Sequence, residues 1–260
     1  MRRFYFSALA AMLVVFSSLA QTPLDEVVVS SPRLNLPFSD DSKSVTVITA
    51  EQIADTPVSN LVDLLRFQAG VDIRRQGIEG SQADVYLRGG TFDQVLLLID
   101  GIRVDDPQTG HHTLNNALPL EVIERIEIVK GPAARIYGQN ALTGAINIVT
   151  KKTGQKGAMF SARRGSFHTT QLGVTGQDYN ENQQHVIHFS GLSSAGYRHN
   201  TDLDNFHLFT HSSFGVSKNL KLLTMFNERK FGANGFYGFA SYEDQYEETQ
   251  SSFFGLSTKF

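Results

Sequence analysis

The chain has 260 residues, with 23 Lys and Arg against 26 Asp and Glu and a formal net charge of −3. That balance excludes a basic nucleic-acid binder, and the length allows one or two domains with a real core. Cysteine is absent, which excludes a disulfide frame, a thiolate metal site, a cysteine nucleophile and a lipoprotein acceptor.

Arg2 and Arg3 open the chain. An apolar run follows over residues 8–19, and Ser18-Leu19-Ala20 gives a small-residue step before Gln21. This is the pattern of a cleaved secretory signal over residues 1–20. The run is shorter than the roughly 20 residues that cross a bilayer as a helix. No later stretch is long and apolar enough to do so, so any membrane passage has to be made by a barrel.

Residues 21–43 hold a short extended segment, Asp25, Glu26, Val27, Val28, Val29 and Ser30. Three consecutive valines favour a strand, and Pro32 and Pro37 then interrupt regular structure. A lone strand near a terminus exposes a backbone edge that invites pairing with another chain. A disordered or sheet-joined terminus is the alternative.

Residues 44–153 read as an α+β domain with a small mixed sheet. Residues 45–48 form a strand, and Thr49 with Gln52 fits a capping box that opens a short helix. Ser59 is placed to cap a second helix, with Leu61, Leu64 and Leu65 on one face and Gly70 as its stop. Strands are expected at 71–74, 85–88, 95–100, 125–130 and 146–150, with a helical turn at 119–124. Long polar loops fill 74–84 and 103–116, and long loops in a compact domain are usually functional.

From residue 157 to 260 the pattern changes to period two. Phe206, Leu208, Phe214 and Val216 share one parity, and His207, His211, Ser213 and Ser217 take the other. Alternation over segments of about ten residues is the signature of antiparallel strands in a transmembrane β-barrel; a β-sandwich with one wet face is the soluble alternative. The short turns at 177–182 and 217–219 fall at one end. The long connections at 193–204 and 227–250 fall at the other, as the two ends of a barrel differ.

Several phrases in the N-terminal domain resemble the TonB-dependent outer-membrane receptors. They are Tyr86-Leu87-Arg88-Gly89-Gly90, Leu97-Leu98-Ile99-Asp100-Gly101-Ile102-Arg103-Val104, Ile123-Glu124-Arg125-Ile126-Glu127-Ile128-Val129-Lys130-Gly131-Pro132, Ile136-Tyr137-Gly138 and Gly144-Ala145-Ile146-Asn147-Ile148-Val149-Thr150. Their order and spacing together carry the resemblance, over nearly all of residues 24–152. It implies an α+β plug domain followed by the N-terminal strands of an incomplete transmembrane barrel, set in the outer membrane and its lipid. The activity implied is import of a scarce nutrient, either cobalamin or a ferric siderophore. In style the phrases are closest to the cobalamin receptors, Bacteroidetes-type relatives included.

The same resemblance makes residues 25–30 a TonB box, pairing by strand addition with the periplasmic protein TonB. It turns two polar plug loops toward the small-molecule ligand. One carries Arg74, Arg75, Gln76, Glu79, Ser81 and Gln82; the other carries Asp105, Asp106, Gln108, His111 and His112. Packing of these loops on the barrel wall is the alternative. Arg88, Glu124, Arg125 and Arg135 are candidates for ion pairs that seat the plug.

No catalytic site, metal or cofactor is expected. His111 and His112 are sequence neighbours that rarely aim both rings at one ion. His207 and His211 share a strand face at roughly 13 Å, too far to chelate together. Asp202 and Asp204 supply two oxygens where calcium needs six to eight. Lys152-Thr153-Gly154 lacks its Ser-x-x-Lys companion, and residues 191–195 miss the strand-to-helix setting of a nucleophile elbow. The 260 residues read as a portion of a longer receptor, because the strands after the plug are too few to close a barrel of about 22. A non-transporting binding module is the rival reading. A signalling receptor is disfavoured because the box follows the cleavage step closely.

Overall fold

The computed structural model describes residues 28–29, 36–37, 44–106, 109–116, 118–132, 137–151, 156–217, 219–238 and 243–258. The signal region, Asp25, Glu26, Val27, Ser30, Gln108, Arg135, residues 152–154 and Phe260 lie outside the described residues. Within the box segment, strand β1 (Val28–Val29) pairs antiparallel with β2 (Leu36–Pro37), Val28 opposite Pro37.

The N-terminal domain begins with β3 (Ser44–Thr49) and helix α1 (Ala50–Asp55). The Thr49 hydroxyl accepts from the Gln52 N–H, and the Gln52 side chain accepts from the Thr49 N–H. Helix α2 (Leu61–Arg66) buries Leu61, Leu64 and Leu65 as its spacing predicts. Its cap is Asn60, not Ser59: Asn60 Oδ1 accepts from the Asp63 N–H at 2.8 Å. Asparagine caps at least as well as serine, and the Ser59 hydroxyl is committed to the Glu79 carboxylate. The helix also stops earlier than expected, at Phe67, whose N–H reaches the Leu64 and Leu65 carbonyls. Gly70, at φ +79°, then turns the chain into β4 (Val71–Gln76).

The hairpin of β4 with β5 (Gln82–Leu87) takes up most of what reads as a loop over 74–84. Arg74, Arg75, Gln76 and Gln82 are strand residues, and only 77–81 form the tip. The main sheet contains β6 (Val95–Ile99), β7 (Ile102–Val104), β8 (Ile123–Lys130) and β9 (Gly144–Thr150), in the order β3-β8-β9-β6-β7. The β6–β9 pair is parallel and the others are antiparallel. Every residue of β6 and β9 is buried, as befits strands covered on both faces. Asp100 (φ +50°) and Gly101 (φ +79°) form the two-residue turn between β6 and β7, both in the left-handed region such a hairpin requires.

Six further strands form a second antiparallel sheet in simple chain order. They are β10 (Gly157–Arg164), β11 (Thr170–Tyr179), β12 (Gln183–Ser194), β13 (Leu203–Phe214), β14 (Leu220–Gly232) and β15 (Tyr246–Thr258). Its connections at 165–169, 195–202 and 233–245 share one end, and the short turns at 180–182 and 215–219 share the other. The sheet does not close on itself; β10 and β15 are its edges.

The polarity of this sheet is inverted. One register row runs Phe160, Val174, Phe189, Leu208 and Phe226, one residue per strand. Phe160, Val174 and Phe189 on it are exposed, as are Leu172, Phe206, Phe254 and Leu256 on the same face. The opposite face buries Thr175, His188, His207, His211, Asn227 and Arg229 against the N-terminal domain. Four apolar residues on that inner face, Val186, Phe209, Leu223 and Met225, join the core of the N-terminal domain in one cluster with Ile99, Val104 and Ile146.

Candidate functional site

The seam between the hairpin tip 77–81 and the inner face of the sheet brings together four of the residues singled out in the sequence, Glu79, Ser81, Gln82 and His112. Glu79 accepts a 2.6 Å hydrogen bond from Arg163 on β10. The Arg229 guanidinium of β14, 2% exposed, donates to the Ser81 carbonyl at 3.0 Å and to the Thr249 hydroxyl at 3.1 Å. A buried charge is tolerable only when donors are used; here the hairpin backbone takes one guanidinium nitrogen and Thr249 another, while the buried Nε is left without a partner. Gln82 meets the Tyr237 hydroxyl at 2.7 Å, and Tyr237 lies 2.8 Å from Glu247 on β15. His112 Nε2 is 2.8 Å from the same Glu247 side chain.

The other expected ligand residues hold local partners. Arg74 pairs with Asp72 and lies over the Tyr86 ring at 4.4 Å. Arg75 pairs with Asp63 at 3.1 Å, and Gln76 faces Gln82 in the hairpin ladder. Asp105 pairs with Arg103 at 2.7 Å, and Asp106 accepts from the Thr109 N–H. His111 Nδ1 lies 2.9 Å from Asp84, with its ring 4.2 Å from that of Phe92. His111 and His112 thus turn to different carboxylates. Among the described residues no group of three or more His, Asp or Glu is placed to hold a metal ion. Asp204 stands opposite Lys230 in the ladder.

A small cleft of about 120 Å³, partly open to solvent, lies between the hairpin and the sheet; Arg75, Glu79, Ser81 and Gln82 line it with His207 and Asn227. A second polar contact lies deeper. The Asp100 carboxylate accepts from the Thr150 N–H and hydroxyl, and the Thr150 hydroxyl is 3.0 Å from His211 Nδ1 on β13. Of the seating charges, Arg125 pairs with Glu124 at 2.6 Å and Glu127 at 2.9 Å.

Burial holds the His112 pKa below the ordinary histidine value. The Arg229 charge adds to this, against the upward pull of Glu247. His112 therefore sits neutral in the seam. When it is released to water it takes up a proton below about pH 6.5. The seam is at full strength above that pH and weakens as pH falls through the window below it. We expect protease cleavage at the hairpin tip to accelerate between pH 7.5 and 5.5, and the pH dependence to shrink in His112→Gln.

The family profile of the TonB-dependent receptor plug domain matches residues 37–145. The chain belongs to the TonB-dependent receptor family. Among curated relatives, a vitamin B12 transporter, BtuB, of Vibrio cholerae serotype O1 is 36% identical over 195 residues, which is 73% of this chain and 32% of the relative. BtuB of Vibrio vulnificus is 35% identical over 143 residues, 55% of this chain and 23% of the relative. The chain thus spans about a third or less of the curated relatives it matches. Among solved structures, the Pseudomonas aeruginosa pyoverdine receptor FpvA superposes with TM-score 0.66 over 89% of this chain and 34% of its own, at 16% identity. The Escherichia coli ferric-catecholate receptor Fiu gives 0.56 over 78% of this chain and 29% of its own, at 21% identity. These likenesses settle the fold: a plug domain packed on antiparallel strands of a barrel wall. In a TonB-dependent receptor the inverted sheet has a plain reading, with its apolar face outward and its polar face on the plug.

Sequence reasoning missed Arg229 and Glu247; Tyr237 stood out only as one aromatic of a loop, to stack on a ligand or to pack the loop on itself. Arg229 was the findable one: it shares the parity of Asn227 and Phe231, the face that meets the plug.

Proposed function

We propose that this chain supplies the plug and first wall strands of an outer-membrane importer that takes up cobalamin or a ferric siderophore with energy from TonB. The observation that carries the reading is the inverted sheet: an apolar face left exposed, and a polar face packed on a plug. Cobalamin is favoured over a siderophore because the curated relatives, at 36% identity, are vitamin B12 transporters. Residues 1–20 direct export, residues 25–30 recruit TonB, and the cleft beneath the hairpin receives polar groups of the cargo. The test is uptake of labelled cyanocobalamin and of a labelled ferric siderophore into cells that carry the full-length gene as their only receptor. TonB-dependent accumulation of either supports import; accumulation of neither overturns it.

Strand addition draws its affinity from backbone hydrogen bonds, and proline removes a donor from the ladder. Val28→Pro is expected to cut energised uptake by about tenfold or more, the loss of one to two such bonds, with ligand binding to isolated membranes unchanged. Uptake at the parental rate would show that TonB does not engage this strand.

A further inference from the structure

The hairpin tip of the plug is gripped from above as well as from the wall. Ile78 packs with Leu203, Phe231, Ala233 and Phe236, and any side chain at Gly77 would collide with the Phe236 ring. Phe236 and Tyr237 belong to the connection 233–245, which is tied to the neighbouring connection 195–202. Arg198 donates to the Asn234 carbonyl at 2.6 Å, and the Asn234 side-chain amide donates to the His199 carbonyl at 2.8 Å. The two connections thus form one cover.

The polar half of the grip turns on one hydroxyl. Tyr237 Oη lies 2.7 Å from Gln82 Oε1 and 2.8 Å from Glu247 Oε2. One hydroxyl proton cannot serve two acceptors, while the buried Gln82 Nε2 has no partner. The two ends of an amide are assigned from their hydrogen bonds, so the Gln82 amide is turned over: its NH2 donates to Tyr237 Oη, and the Tyr237 hydroxyl donates to Glu247. The phenol is held protonated, because burial raises its pKa and the bond to Glu247 adds to that. A chain of contacts then runs from the plug strand through the cover to the wall.

We propose that the cover formed by 195–202 and 233–238 and the plug tip 77–82 form one mechanical unit with Tyr237 as its pin, so that displacing the cover moves the plug hairpin. Tyr237 is a positioning residue for the plug, not a contact for the cargo. The inference extends the import reading but does not depend on which cargo is carried. Anything that binds against the cover acts on the plug through this phenol.

The test is amide exchange at the tip of the complete receptor in detergent. The readout is the Ser81 N–H, which donates to the Ile78 carbonyl across the turn, and the Glu127 amide in the plug sheet is the reference. Tyr237→Phe keeps the ring and removes the pin. It is expected to speed Ser81 exchange by about tenfold or more, the loss of a hydrogen bond to a charged group, with Glu127 unmoved. Gln82→Leu should do the same, and the double variant should be no faster than either single one, as for residues acting as one unit. Unchanged Ser81 exchange in Tyr237→Phe overturns the proposal. So does an additive double variant. Equal acceleration at Glu127 would mean that Tyr237 supports the whole domain, and it would overturn the proposal as well.

Discussion

Glu127→Ala is expected to destabilise the plug sheet by about 3 kcal/mol, the lower end of the cost of breaking a buried ion pair. The Glu127 side chain is fully buried, 2.9 Å from Arg125, and accepts from the Asn147 amide at 2.9 Å. Asn147 in turn holds the Gly101 N–H of the tight turn at 3.0 Å. Arg125 keeps Glu124 as a partner when Glu127 is removed, which places the cost at the lower end. The loss falls on Asn147, whose amide gives up its bond to the Glu127 carboxylate, and on the cavity. Exchange of amides in the β8–β9 ladder of the complete receptor should accelerate by about a hundredfold, since 1.4 kcal/mol is a factor of ten. Glu127→Gln, which retains an acceptor for Asn147, should recover much of the difference. An unchanged ladder would show that the Glu127 network does not hold the sheet.

Phe189→Arg is expected to cost about 2–4 kcal/mol in a bilayer, the penalty for arginine on the lipid face of a barrel near its midplane. Phe189 is 42% exposed and lies in the middle of the apolar register row. On a water-facing sheet the same substitution would fall within about 0.5 kcal/mol, as exposed changes do. The two environments thus predict effects of different size for one residue. Urea titration of the complete receptor folded into lipid vesicles separates them. A destabilised variant supports a lipid-facing row, and a variant equal to the parent places that face in water.

The wall was legible in sequence because alternation at period two survives wherever one face meets lipid and the other a polar surface. Its lapses carry information that only the structure explains. Phe209, Leu223 and Met225 sit on the polar parity because they pack on the plug core. Glu127 alternates with Ile126 and Ile128 like an exposed charge, yet β8 is covered where it lies and the carboxylate is fully buried. Periodicity along one strand does not report what covers its second face. The helix cap shifted by one residue, from Ser59 to Asn60, because both side chains suit the position and Glu79, twenty residues away, claims the serine. The cover over the plug tip was illegible: Tyr237 meets Gln82 across 155 residues of chain, and no local pattern encodes such a pairing.

The ligand loops divide the same way. Polar, glycine-broken stretches marked a region rich in polar contacts, and five of their residues, Glu79, Ser81, Gln82, His111 and His112, are engaged within the plug or against the wall. Residue type marks a place where polar contacts are made and does not say with what.

The family's plug profile and the unclosed antiparallel sheet make this chain the plug and part of the wall of a barrel. The six strands leave β10 and β15 as open edges, and open edges are not tolerated in lipid, so a place in the membrane requires a wall completed by further strands. The direct measurement is the size and location of the native product, detected in cell fractions with an antibody to the plug. The expected result is a band in the outer membrane far larger than these 260 residues, shifting in apparent size when heated in detergent as closed barrels do. A soluble band of about this chain's own size would contradict it.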